Sequence, residues 1–133
     1  MPKTHSNPET IHRPHNDAYS HVVVVEGGRL LFISGQAALD HDGNIVGDDV
    51  YTQARASFEN LRAALEAHGA TPADIVKLTT FVVGDAPTQL PALGRARAEV
   101  LQLDVPPAST LVGIDSLAID GLLVEVEAVA HLD

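Results

Sequence analysis

Near the end of the chain the run Leu122-Leu123-Val124-Glu125-Val126-Glu127-Ala128-Val129-Ala130-His131 sets two carboxylates two residues apart in an otherwise apolar stretch. In an extended strand side chains alternate, so Val124, Val126, Ala128 and Ala130 share one face while Leu123, Glu125, Glu127, Val129 and His131 share the other. The two carboxylates then stand on one face, about 7 Å apart along the strand. A carboxylate in a partly dry cleft holds its proton more tightly and can serve as a general acid or base. The plainer alternative is that each pairs with a cation or a backbone donor at a subunit contact, the commoner fate of an isolated glutamate pair.

Other residue types that could do chemistry form weaker patterns. Of the seven histidines, His5, His12 and His15 are the densest group. They fall in a polar leader, and no carboxylate spacing there completes a metal motif, so no metal site is expected. His21, beside Tyr19 and Ser20, reads first as a surface or interface histidine. Ser34-Gly35-Gln36 closes one apolar run and Ser109-Thr110 opens another after Pro106-Pro107, but neither is a hydrolase elbow. The chain has no phosphate-cradling or dinucleotide-binding glycine motif, and its lack of cysteine removes thiolate catalysis, disulfides and cysteine-bound metals. No cofactor is expected.

A chain of 133 residues, 45% of them hydrophobic, is sized for one core. A formal net charge of −10 repels polyanions, and no cluster of Lys and Arg offsets it, so nucleic acid is not an expected partner. The opening segment is polar and proline-bearing, and the longest apolar runs are strand-length. The expectation is therefore a soluble, cytoplasmic protein with no membrane partner, a leader over 1–16 and a single domain over 17–133.

The elements that must position these residues follow from periodicity. Val22 to Val25, Glu26-Gly27-Gly28 and Arg29 to Ser34 predict a hairpin turned at the two glycines. Asp42-Gly43 predicts a second turn leading into a short strand or irregular edge. Val50, Ala54, Phe58, Leu61 and Leu65 recur every three or four residues, a helix capped by Asp48 or Asp49 and ended at Gly69. Ile75 to Val83 is a β-branched strand, Gly84 to about Leu103 a second helix, and Ser109 to Ile114 and Leu122 to Val129 the last strands. The class is α+β, two helices on one face of a largely antiparallel sheet. The strands are too continuously apolar for one face to meet water, so self-association is expected to cover it.

Five segments in register carry a resemblance. Ser34-Gly35-Gln36, Gln53-Ala54 with Asn60-Leu61, Asp74 to Lys77 leading to Phe81-Val82, Pro107-Ala108-Ser109-Thr110, and Val124 to Ala130 occur in the order and spacing of the RidA (YjgF) family, which the chain resembles from about Tyr19 onward. The resemblance implies a chorismate-mutase-like fold, a homotrimer, and small-molecule clefts between adjacent subunits. It also implies hydrolysis of reactive enamines and imines, released by pyridoxal-phosphate enzymes, to ketoacids and ammonia. The older labels of the family are endoribonuclease and translation inhibitor, and the acidic charge argues against the first.

By the same resemblance Glu125 matches the cleft glutamate that positions water, Ser34 a ligand-contacting serine and Tyr19 an N-terminal tyrosine. The deaminase pattern Pro-Ala-Arg-Ser reads Pro107-Ala108-Ser109-Thr110 here, so Ser109 stands where an arginine would grip a substrate carboxylate. Ala92 replaces an asparagine of the second helix, and Leu111 a small or sulfur-bearing residue. A hydroxyl cannot make the paired charge-assisted bonds of a guanidinium, so 2-iminoacids should bind poorly unless Arg95 or Arg97 supplies the grip. Two readings follow: a divergent imine or enamine hydrolase using Glu125, Ser109, Ser34 and Tyr19, or a trimeric ligand-binding module that kept the cleft and lost the chemistry.

Overall fold

The computed structural model describes residues 3–133. Four strands form the main sheet in the order β3-β6-β4-β5: β3 (Arg29–Ala37), β4 (Ile75–Val83), β5 (Ala108–Ile114) and β6 (Val124–Leu132). β6 lies antiparallel between β3 and β4, whereas β4 and β5 are parallel. The sheet is thus largely antiparallel as expected, with one parallel pairing that makes it mixed. The cause is α2 (Ala86–Leu101), a crossover that carries the chain back to the end of the sheet from which β4 set out.

Helix α1 (Val50–Glu66) begins where the Asp49 carboxylate accepts the Thr52 N–H at 2.8 Å, and α2 begins with the same device from Asp85 to Thr88 at 3.1 Å. Pro87 falls in the first turn of α2, where a missing N–H costs the helix least, whereas Pro91 stands one turn further in and withholds a bond from the Pro87 carbonyl. Both helices cover one face of the sheet. The stripe Ala54, Phe58, Leu61 and Leu65 packs with Leu93, Ala96 and Val100 against Val124, Val126, Ala128 and Ala130 of β6, all buried. The alternation read from β6 places its core face correctly.

The expected glycine hairpin is half right. Gly27 and Gly28 have φ of 61° and 69°, both in the left-handed region, and a Cβ on Gly28 would meet the Leu132 carbonyl oxygen at 2.2 Å. The strand entering that turn, β2 (Val22–Val24), does not ladder with β3. It pairs with β1 (Thr4–Ser6), with Thr4 opposite Val24 and Ser6 opposite Val22.

The leader is therefore part of the fold rather than a loose appendage before residue 17, because β2 takes its backbone partners from it. Further bonds hold it: the His21 N–H donates to Asn7 Oδ1 at 2.8 Å, and the Lys3 ammonium donates to the Ala73 carbonyl. The turn at Asp42-Gly43 leads to a single bridge between Leu39 and Ile45, an irregular edge as expected. The sheet's other face carries Leu30, 50% exposed, and Phe32, 77% exposed, so within one chain the apolar surface expected to be covered is bare. Among the described residues, no helix is long and apolar enough to cross a membrane.

Candidate functional site

Glu125 lies on the outer face of β6, opposite Phe81 of β4 and Ala37 of β3. The β3–β6 register slips between Ile33 and Gln36, and this irregularity brings Gly35 against the Glu125 carboxylate. A Cβ on Gly35 would stand 1.8 Å from Glu125 Oε1. Only glycine at that position leaves the carboxylate its place. It accepts no hydrogen bond and forms no ion pair among the described residues.

The carboxylate borders a cavity of about 580 Å³ lined by Gly35, Gln36, Asn60, Ile119 and Leu122 among others. Asn60 of α1 donates to the carbonyls of Ala37 and Leu39 at 2.9 and 3.1 Å, which fixes the wall. Buried Gln53 accepts from the Leu123 N–H at 2.7 Å and donates to the Gly47 and Gly121 carbonyls, pinning the entry to β6. Ser34 is exposed beside Gly35 and is not in the lining. Glu127 is exposed on the same outer face, opposite Thr79.

Ser109 sits elsewhere. It alternates onto the helix side of β5 with Leu111, where both line a second cavity of about 580 Å³ with Tyr19, Thr80, Leu93 and Arg97. Thr110 faces the opposite way, its hydroxyl accepting from Lys77 Nζ at 2.8 Å. Ala92 is half-buried and does not reach the cavity, because Leu90, Leu93, Gly94 and Arg97 are the residues on that side of α2. Tyr19 is held by His12, whose Nε2 lies 3.1 Å from the phenol oxygen, and by the edge of His21 at 5.4 Å. His12 also stacks on His15 at 5.5 Å between ring centres. Among the described residues no set of three or more His, Cys, Asp or Glu is placed to hold a metal.

The sites thus divide. Tyr19, Ser109 and Leu111 come together, Glu125 stands at a different cavity on the other side of the sheet, and one chain does not place Ser109 and Glu125 in a common cleft. Sequence reasoning missed Gly35 as the seat of Glu125, along with Asn60 and Thr80. The glycine inside a strand was the available signal, since such a glycine marks a bulge or a close approach. Of the two helix arginines singled out, Arg97 enters the Ser109 cavity, whereas Arg95 stacks 3.9 Å above the ring of Tyr51.

Two helices over a mixed four-stranded sheet is the fold shared with solved Rid structures. The crystal structure of YyfB from Yersinia pestis, a Rid family protein of unknown function, superimposes with a TM-score of 0.89 at 37% identity, covering 99% of this chain and 100% of that one. The family model described as Endoribonuclease L-PSP matches residues 10–132. The chain belongs to that family, the one also called RidA or YjgF. A RutC family protein of Pyrococcus horikoshii is 32% identical over 108 residues, covering 80% of this chain and 82% of that protein. A 2-iminobutanoate/2-iminopropanoate deaminase of Dermatophagoides farinae is 30% identical over 116 residues, covering 86% of each.

Proposed function

We propose that this protein is a RidA-like hydrolase of small imines, enamines or related carbonyl compounds, working as a homotrimer whose clefts are completed between neighbouring copies. The observation that carries the reading is the Glu125 carboxylate, unpartnered among the described residues and seated against a glycine where any Cβ would displace it. Evolution of a structural salt bridge would leave such a carboxylate paired; a proton carrier needs it free to meet water. The deaminase activity named for the Dermatophagoides farinae relative supports the reaction class.

In this reading Glu125 takes a proton from water as the oxygen attacks the carbon of the protonated C=N group, forming a carbinolamine. The same carboxyl gives that proton to the nitrogen, then takes the hydroxyl proton as the C–N bond breaks and the C=O bond forms, so that ammonia leaves, carries the proton off as ammonium, and a carbonyl compound remains. Ser109 and Tyr19 supply hydrogen bonds from one copy, while Ser34 and Glu125 approach from the next. The bare face bearing Leu30 and Phe32 supports assembly, because exposed apolar patches of this kind mark contact surfaces.

The test is ketoacid release from imines generated by an amino-acid oxidase, with semicarbazide as the competing trap. The wild type should suppress semicarbazone formation and Glu125→Gln should not, since an amide cannot take a proton from water. A second reading, a ligand-binding module without chemistry, is favoured by Ser109 standing where the deaminase pattern has arginine. It predicts that wild type and Glu125→Gln leave semicarbazone formation equally untouched.

A further inference from the structure

The four arginines on the helices have different fates. Arg55 pairs with Glu59 and Glu99, Arg62 with Glu66, and Arg95 lies over the Tyr51 ring. Among the described residues Arg97 has neither a carboxylate nor a ring as partner. Its guanidinium turns into the Ser109 cavity, where its one partner among the described residues is the Ala18 carbonyl, accepting from Nη2 at 2.7 Å. A guanidinium carries five N–H donors, so most of its donor capacity is unused.

The rest of the lining sharpens this. None of the lining residues is acidic, although the chain as a whole carries a formal charge of −10. Among the described residues the only permanent charge bordering the cavity is therefore positive. Burial lowers the pKa of Arg97, and no acidic partner opposes that effect. An arginine nonetheless keeps its proton, so the site holds a partly desolvated cation without a counterion. Around it stand the hydroxyls of Ser109, Thr80 and Tyr19, and the apolar side chains of Phe58, Leu93 and Leu111.

We propose that Arg97 is the anion anchor of this cavity, and that the ligand is a small carboxylate with an aliphatic body of a few carbons. The inference rests on the Ser109 cavity being part of the ligand cleft proposed above. It places the carboxylate grip on α2 instead of β5, so the serine at 109 does not leave the cleft without a cation. Apolar walls fit the aliphatic body, and the guanidinium offers a carboxylate two parallel bonds that neutral ligands cannot use.

Calorimetric titration of the full chain with 2-oxobutanoate and with its methyl ester tests this. The wild type should bind the acid in preference to the ester. Arg97→Met should weaken acid binding by roughly ten- to a hundredfold, the scale of a lost charge-assisted bond, while leaving ester binding unchanged. Adding Ser109→Arg to Arg97→Met should return the preference for the acid, because a guanidinium from β5 then enters the same cavity.

Equal binding of acid and ester by the wild type, or unchanged acid binding in Arg97→Met, overturns the assignment. Should Arg97→Met not fold, Arg97→Lys keeps a charge but not the paired geometry, and it must fall between wild type and loss. The semicarbazide assay on the same preparations reads the proposed chemistry separately. Imine hydrolysis that needs Glu125 without acid preference removes Arg97 alone, whereas acid preference without hydrolysis removes the catalytic reading alone.

Discussion

The Glu125 carboxylate and the glycine beneath it can be separated by experiment. Gly35 carries no positive φ, so alanine fits its backbone, but the new methyl would overlap the carboxylate. The glutamate is the movable partner, being the end of a flexible side chain. Gly35→Ala should therefore fold as the wild type by circular dichroism yet lose most of its imine hydrolysis, approaching Glu125→Gln. Full activity in Gly35→Ala would show that the seat is irrelevant to the chemistry. The face on which Glu125 stands was legible in strand alternation, and the side taken by Ser109 follows from the same rule. That these two faces keep the residues apart was not legible, because alternation within each strand says nothing of which strands share a sheet or of their register.

At the scale of elements, both helices start on an aspartate whose carboxyl pKa is lowered. Hydrogen bonds to Thr52 are the cause at Asp49, the backbone N–H leading, and bonds to Thr88 at Asp85, the hydroxyl leading. A carboxyl with a lower pKa folded than unfolded favours the folded state above the ordinary Asp range near pH ~3.9, and the benefit fades as pH falls through the lower folded value. Thermal melts between pH 6 and pH 3 should show the wild type losing stability across the acid end of that window. Asp49→Ala and Asp85→Ala should start lower and fall less steeply. Parallel curves for wild type and variants would remove the caps as the source.

The helices were readable because a 3.6-residue stripe and an aspartate ahead of it are local signals. The ladder between Thr4–Ser6 and Val22–Val24 was not, since its two halves are separated by a polar stretch that carries no pairing signal. The glycine pair set the turn correctly and misled about the partner. A turn reverses the chain, but hydrogen bonding between the strands it joins is a separate outcome. α2 was placed correctly as a helix, and its role in making β5 parallel to β4 follows only once both strands are known to lie in one sheet.

For the whole molecule, the continuous apolar runs pointed to two covered sheet faces, and the chain alone covers one. Sedimentation at micromolar concentration should give about three times the chain mass of 14.0 kDa. Phe32→Asp should shift it to the mass of a single chain, because a charge cannot be left buried in an apolar contact without a partner. A wild type that sediments as one chain would remove the trimer and the shared cleft together.

The separation of Glu125 from Ser109 and Arg97 across the sheet has a genetic consequence. A cleft that borrows one half from each of two chains can be rebuilt from two different broken ones. Chains carrying Glu125→Gln retain the arginine half, and chains carrying Arg97→Met retain the glutamate half. Unfolding the two impaired proteins together and refolding them in equal amounts should leave about a quarter of the clefts with both halves intact, as random assembly around a three-fold ring requires. At low iminoacid concentration the mixture should hydrolyse faster than either parent refolded alone.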